Sequence, residues 1–226
     1  MLIVAIDTSG RHGSVALCRG DAERFEVLEL SELAGGTYSA RLMPTIAEAL
    51  QHSRLSKADL DGFTVISGPG SFTGLRVGLA TVKGLCEALH KPAAAVSMLE
   101  ALVAVHGNAG ARTTAVLDAG RGEVYIGEYD LSAEQPRTLQ ERISKLNEFA
   151  SEAPSLAGEI ITPDGNVAQA LQQESASLRL VSPVFADEIG RIGIRKLLAD
   201  DTVELASMDV NYIRRSDAEI FSAPAK

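Results

Sequence analysis

The sequence predicts an α/β protein of two similar lobes, each a mixed β-sheet with helices against its faces. A hairpin pattern occurs twice, strands and helical stripes alternate after each copy, and 46% hydrophobic residues over 226 positions can fill two cores. The pattern is an apolar strand, an Asp, a small-residue turn with an Arg, and a second apolar strand. It runs over Ile3–Leu17 with Asp7 and over Ala115–Ile126 with Asp118. The 111-residue offset between the two aspartates is about half the chain, the period of a duplicated lobe rather than of a short-repeat solenoid.

In the first lobe, residues 1–110, apolar patterning predicts strands over 2–7, 13–19 and 23–30. A helix follows over about 38–52, where Leu42, Met43, Ile46, Ala49 and Leu50 form an apolar face and Pro44 stands close enough to the start to be tolerated. A strand over 62–67 leads into Gly68-Pro-Gly-Ser71 and a helix over 73–90. Gly68 and Gly70 allow backbone angles closed to other residues, Pro69 fixes φ, and Ser71 or Thr73 can cap the helix. The result is a tight elbow with several free backbone N–H groups. A strand over 92–96 and a helix over 97–106 complete the lobe, with Asn108-Ala-Gly110 as the junction.

The second lobe, 111–226, repeats the order more loosely. Strands are expected over 113–118 and 122–130, a helix near 144–150, a strand near 159–162, and helices near 164–173 and 184–199. The polar tail Asp209–Asp217 carries Tyr212, Arg214 and Arg215 and is read either as an ordered extension or as a flexible end.

The helix over 73–90 has two uncharged stripes. Leu75, Leu79, Val82, Cys86 and Leu89 form one, and Gly74, Val77, Gly78, Thr81, Gly84 and Ala88 form the other. A glycine inside a helix costs about 1 kcal/mol relative to alanine. Three of them call for the close approach of another backbone, either the chain's own sheet or a neighbouring subunit.

Several chemistries find little support. A net charge of −9 argues against an extended nucleic-acid footprint, which needs clustered Lys and Arg. Cys18 and Cys86 stand far apart, as buried small hydrophobes do. His12, His52, His90 and His106 are single, without metal-ligand spacing. Ser71 sits in Pro-Gly-Ser-Phe-Thr, not in a nucleophile elbow, and the glycine spacing fits neither phosphate-loop fingerprint. Asp7, Gly70, Ser71 and Asp118 remain candidate contacts for a nucleotide or anion, although the favoured reading of the two aspartates is that they end strands and close their turns. Met1 leads straight into a strand, without a basic and then apolar leader, and Glu100 interrupts the richest apolar run. A cytoplasmic protein without a membrane span is expected.

Two acidic hairpin turns of this kind resemble those with which actin-like, hexokinase-like and Hsp70-like proteins hold a nucleotide. More specifically, Leu2-Ile-Val-Ala-Ile-Asp-Thr-Ser9 with Ser14–Leu17, Ser39–Pro44, Gly68–Leu79 with Lys83-Gly-Leu85, Arg121-Gly-Glu-Val-Tyr125 and Tyr212-Ile-Arg214 resemble the TsaB (YeaZ) family over the whole chain. That resemblance implies the actin-like ATPase superfold and a non-catalytic partner of TsaD in making threonylcarbamoyladenosine on tRNA. It implies a complex that recruits the ATPase TsaE, a homodimer when the protein is alone, no cofactor, no metal and only indirect contact with tRNA. TsaD-like proteins carry a histidine pair where this chain has Met98 and Leu102. The family also implies a partner face on helices 38–52 and 73–90, with Leu42, Met43, Ile46, Leu50, Arg76, Leu79, Ala80 and Lys83 as candidate contacts. The alternative is an independent nucleotide phosphohydrolase or a peptidase of the same superfold.

Overall fold

The structure is a computed structural model that describes residues 1–133, 135–172, 177–209 and 213. It divides into two compact units, one made of Met1–Ala101 with the returning segment from Pro183, the other of Leu102–Ser182.

In the first unit, β1 (Leu2–Asp7), β2 (His12–Gly20) and β3 (Phe25–Ala34) form an antiparallel meander followed by α1 (Tyr38–His52). Next come β4 (Gly62–Gly68), α2 (Phe72–Leu89) and β5 (Ala93–Ser97), and α3 (Met98–His106) leads on into the second unit. The sheet order is β3-β2-β1-β4-β5, with β1, β4 and β5 parallel. The second unit holds β6 (Arg112–Gly120), β7 (Glu123–Asp130), β8 (Arg137–Lys145), α4 (Leu146–Glu152), β9 (Glu159–Thr162), α5 (Gly165–Leu171) and β10 (Leu178–Leu180). Its order, β8-β7-β6-β9-β10, repeats the first sheet strand for strand, in both neighbours and senses. The hairpin duplication is therefore a duplication of the whole sheet.

Four expectations need correction. β8 lies where no strand was expected and runs up to the start of α4, and β10 is a second unforeseen strand. Both are sheet edges with little burial, so neither carries the apolar run that marks an inner strand. β8 is held instead by polar contacts. Arg142 pairs with Glu128 at 3.8 Å and Glu152 at 2.6 Å, and Glu141 accepts from the Tyr129 hydroxyl at 2.5 Å. Likewise β3, another edge, extends four residues beyond the expected 23–30, through Ser31-Glu-Leu-Ala34, of which Leu33 alone is buried.

The fourth correction concerns α6 (Ala186–Leu198), expected in the second lobe. It packs on the first sheet, where Ala186, Ile194 and Leu197 meet Ile3, Ala5, Ala16, Cys18 and Ala94. Close approach is possible because the contact positions of α6 lack side chains. A Cβ at Gly190 would lie 2.7 Å from the Cys18 sulfur, and one at Gly193 would overlap the Thr64 side chain. The Tyr212, Arg214 and Arg215 tail lies outside the described residues.

α1 and α2 stand with Leu42, Ile46, Leu75, Leu79 and Val82 buried, and α2 packs along β4 and contacts α1. In the second unit Val116, Val124, Ile126 and Ile160 meet Phe149 of α4 and Val167 and Leu171 of α5. Cys18 and Cys86 are free and buried, their thiols pushed up to about 12 and about 11 by burial. Among the described residues no helix is long and apolar enough to cross a membrane.

Gly193→Ala should cost about 1–3 kcal/mol through overpacking against Thr64. Gly84→Ala, where a Cβ meets nothing within 4 Å, should lose no stability. Thermal melts of the two variants check the contrast.

Candidate functional site: the glycine elbow and the face of α1 and α2

The elbow between β4 and α2 is filled by the chain itself. The Gly68–Pro69 bond is cis and Gly68 has φ +139°. Ser71 N donates to the Ser9 carbonyl at 2.6 Å, and the Ser71 hydroxyl accepts from Gly74 N at 3.3 Å, the cap that the serine predicts. A Cβ at Gly70 would lie 2.5 Å from the Ser9 carbonyl oxygen. Gly74 and Gly78 are pressed against Thr8, at its carbonyl oxygen and its hydroxyl respectively, and that hydroxyl donates to the Gly74 carbonyl at 2.8 Å. Two of the three helix glycines thus answer to the chain's own β1–β2 turn, and the donor at Ser71 is occupied rather than free.

The structure brings Asp7, Gly70 and Ser71 to this one corner and places Asp118 in the other unit. Asp7 is 3% exposed and its Oδ1 accepts from Ser9 N at 2.8 Å. Burial raises its pKa to about 6 against the lowering effect of the Ser9 hydrogen bonds. Beside it, Tyr38 donates to the Gly10 carbonyl at 2.7 Å, its phenol pushed up to about 12 by burial and then by the Asp7 charge. Asp118 is exposed, accepts from Gly120 N at 2.7 Å and donates its own N–H to Asp164 at 2.7 Å. Burial, reinforced by the charge of Asp118, raises the Asp164 pKa. Each aspartate closes its own turn, the simpler of the two readings. No group of three or more His, Cys, Asp or Glu could hold a metal ion among the described residues.

The helical face differs from the expected contact set. Leu42, Ile46, Leu50 and Leu79 are buried in their own unit, because an apolar stripe on a surface helix is used first by the sheet beneath it. They are therefore removed from the candidate surface. Met43 is 49% exposed, Arg76 and Ala80 are exposed, and Lys83 is half-buried. Sequence reasoning missed Phe72, 40% exposed, whose ring lies 3.8 Å under the Arg76 guanidinium. Its i, i+4 spacing from Arg76 was the available signal.

Fold and site together define an α/β protein of two sheets of one topology, whose glycine elbow packs against its own β1–β2 turn. The family model for TsaD, tRNA N6-adenosine threonylcarbamoyltransferase, matches residues 30–186, more than half of the chain. The tRNA threonylcarbamoyladenosine biosynthesis protein TsaB of Haemophilus influenzae is 30% identical over 78% of this chain and 70% of its own. The TsaB protein of Bacillus subtilis is 36% identical over 57% of this chain, and the match spans only 55% of that relative. A Pseudomonas aeruginosa crystal structure, described as an uncharacterized protein with similarity to peptidase YeaZ, superposes with a TM-score of 0.76 at 26% identity, covering 94% of this chain and 99% of that one. The chain belongs to the TsaB (YeaZ) family.

The raised Asp7 pKa has a definite sign. Between the ordinary value of 3.8 and about 6 the folded state holds a proton that the unfolded state has released, so stability falls as pH rises through this window. The loss should reach about 3 kcal/mol. Asp7→Asn keeps an oxygen acceptor for Ser9 N and removes the titration. Urea melts from pH 4 to pH 7 should show the variant gaining on the parent protein as pH rises.

Proposed function

We propose that this chain is the non-catalytic partner and activator of TsaD in threonylcarbamoyl transfer to adenosine of tRNA, and that the pair recruits the ATPase TsaE. In this reading the exposed side of α1 and α2 holds TsaD in the cytoplasm and pairs with a second copy when TsaD is absent. The tRNA is contacted only indirectly, in keeping with the net charge of −9.

The observation that carries the reading is the use of positions 98 and 102. Where the family resemblance puts the metal-binding histidines of TsaD, this chain has Met98, 8% exposed, and Leu102, 0% exposed. Neither side chain can ligate a hard or borderline cation through nitrogen or oxygen, and both are buried. The relatives' names, which speak of threonylcarbamoyladenosine biosynthesis, support the pathway.

Size-exclusion chromatography with light scattering, on the chain alone and mixed with TsaD from the same organism, tests the proposal. A one-to-one complex should form at the expense of a homodimer. Met43→Glu and Ala80→Arg, both at exposed positions, should weaken it about tenfold or more while leaving the melting temperature unchanged. Absence of any complex across a range of salt and nucleotide would overturn the reading and return attention to hydrolysis by the isolated chain.

A further inference from the structure

β3 is an open edge of the first sheet, and its two sides carry different chemistries. Among the described residues the backbone of Phe25–Leu33 is hydrogen-bonded to β2 and to nothing else. In an edge strand every second residue points its N–H and C=O away from the sheet, so this edge offers a ladder to one further strand.

The register with β2 assigns the side chains to faces, since residues directly opposite share a face. Val27 stands opposite Cys18 and Leu30 opposite Ala16, and both Cys18 and Ala16 meet α6. Val27 and Leu30 therefore share the α6 side with Phe25, whose ring lies 4.4 Å from the Arg191 guanidinium of that helix. They are left uncovered there. Val27 is 39% and Leu30 43% exposed, and among the described residues no other strand or helix has two large apolar side chains so exposed.

The other side of the strand is acidic. Glu26, opposite Arg19, and Glu29, opposite Leu17, lie on the α1 side, where Glu29 comes within 3.5 Å of His52. Glu26 is 3.8 Å from Arg19 with both side chains more than half exposed, a weak pair that a closer cation can replace. Leu28 has no opposite residue on β2, and this bulge bends the strand. From Glu29 to Ala34 the pairing is uninterrupted over six residues, the stretch that a regular strand can follow.

Charge decides the occupant. A second copy of this edge would bring Glu26, Glu29 and Glu32 against the same carboxylates, and a neutral strand would leave them unmatched. The side chains of an extended segment alternate between faces, so one that carries apolar groups on the α6 side and Lys or Arg on the α1 side matches both rows at once.

We infer that β3 accepts a short extended polypeptide segment of alternating apolar and basic residues as a sixth strand, Leu30 packing its apolar side chains and Glu29 pairing with its basic ones. The carboxylates that turn away stray strands thereby select this one. The site is the sheet edge, and it does not depend on TsaD binding.

Fluorescence anisotropy on the full chain tests it with two labelled peptides of one composition. Val-Lys-Val-Lys-Val-Lys should bind with a dissociation constant below about 1 mM, and Val-Val-Val-Lys-Lys-Lys about tenfold or more weakly than that. Leu30→Lys and Glu29→Lys should each weaken the alternating peptide about tenfold or more, and Glu29→Gln, which keeps the size of the side chain, about threefold. Circular-dichroism melts check that the variants remain folded. Amide hydrogen exchange should slow over Glu29–Leu33 when the alternating peptide is added. No binding below about 1 mM, equal binding of the two peptides, indifference to Leu30→Lys, or slowed exchange confined to other segments would each overturn the inference.

Discussion

The first unit depends on the turn between β1 and β2. Within eight residues, Asp7 to Ser14, this turn anchors the start of three helices. The Tyr38 hydroxyl at the head of α1 donates to the Gly10 carbonyl at 2.7 Å, Ser71 N ahead of α2 donates to the Ser9 carbonyl at 2.6 Å, and Ala186 N at the head of α6 donates to the Ser14 hydroxyl at 2.8 Å. The last two are helix-start backbone donors without intrahelical partners, and a buried one left unmet costs about 1–3 kcal/mol. A single turn with well-placed acceptors therefore orders two helices on one face of the sheet and one on the other. Asp7 holds that turn in shape through Ser9, at the cost of burying a carboxyl group.

This explains why the glycines of the elbow are where they are. Gly70, Gly74 and Gly78 are contact points between the turn and α2, and each would collide with Ser9 or Thr8 if it bore a Cβ. In many proteins a glycine-rich strand-to-helix turn leaves its backbone N–H groups open to an anion. Here the residues that resemble such a loop are engaged in joining two parts of the same unit. The exposed side chains of this helix lie further along it, at Phe72, Arg76, Ala80 and Glu87.

The two sheets share one topology, and polar contacts reach an edge strand in each. β3 and β8 occupy equivalent edge positions. β8 is tied by Arg142, which reaches both Glu128 on β7 and Glu152 on α4, and β3 by Glu26, 3.8 Å from Arg19 on β2, and Glu29, 3.5 Å from His52 at the end of α1, with a bulge at its pairing with β2. Charged and irregular edges discourage pairing with stray strands.

The sequence by itself determined the duplicated hairpins, the inner strands, the long helices α1 and α2 and the Ser71 cap, since these rest on local periodicity, turn chemistry and short-range hydrogen bonds. It also carried the family, through the motif from Gly68 to Leu79. Only the tertiary structure decided the rest. Leu42, Ile46, Leu50 and Leu79 were indistinguishable by periodicity from a partner-binding stripe until the sheet beneath them absorbed it. The polar edge strands β8 and β10 had no local signal, and α6 returned to the first sheet because Gly190 and Gly193 fit against Cys18 and Thr64, residues more than 120 positions away in the chain. Periodicity tells which face of an element is apolar, whereas what covers that face depends on contacts distant in sequence.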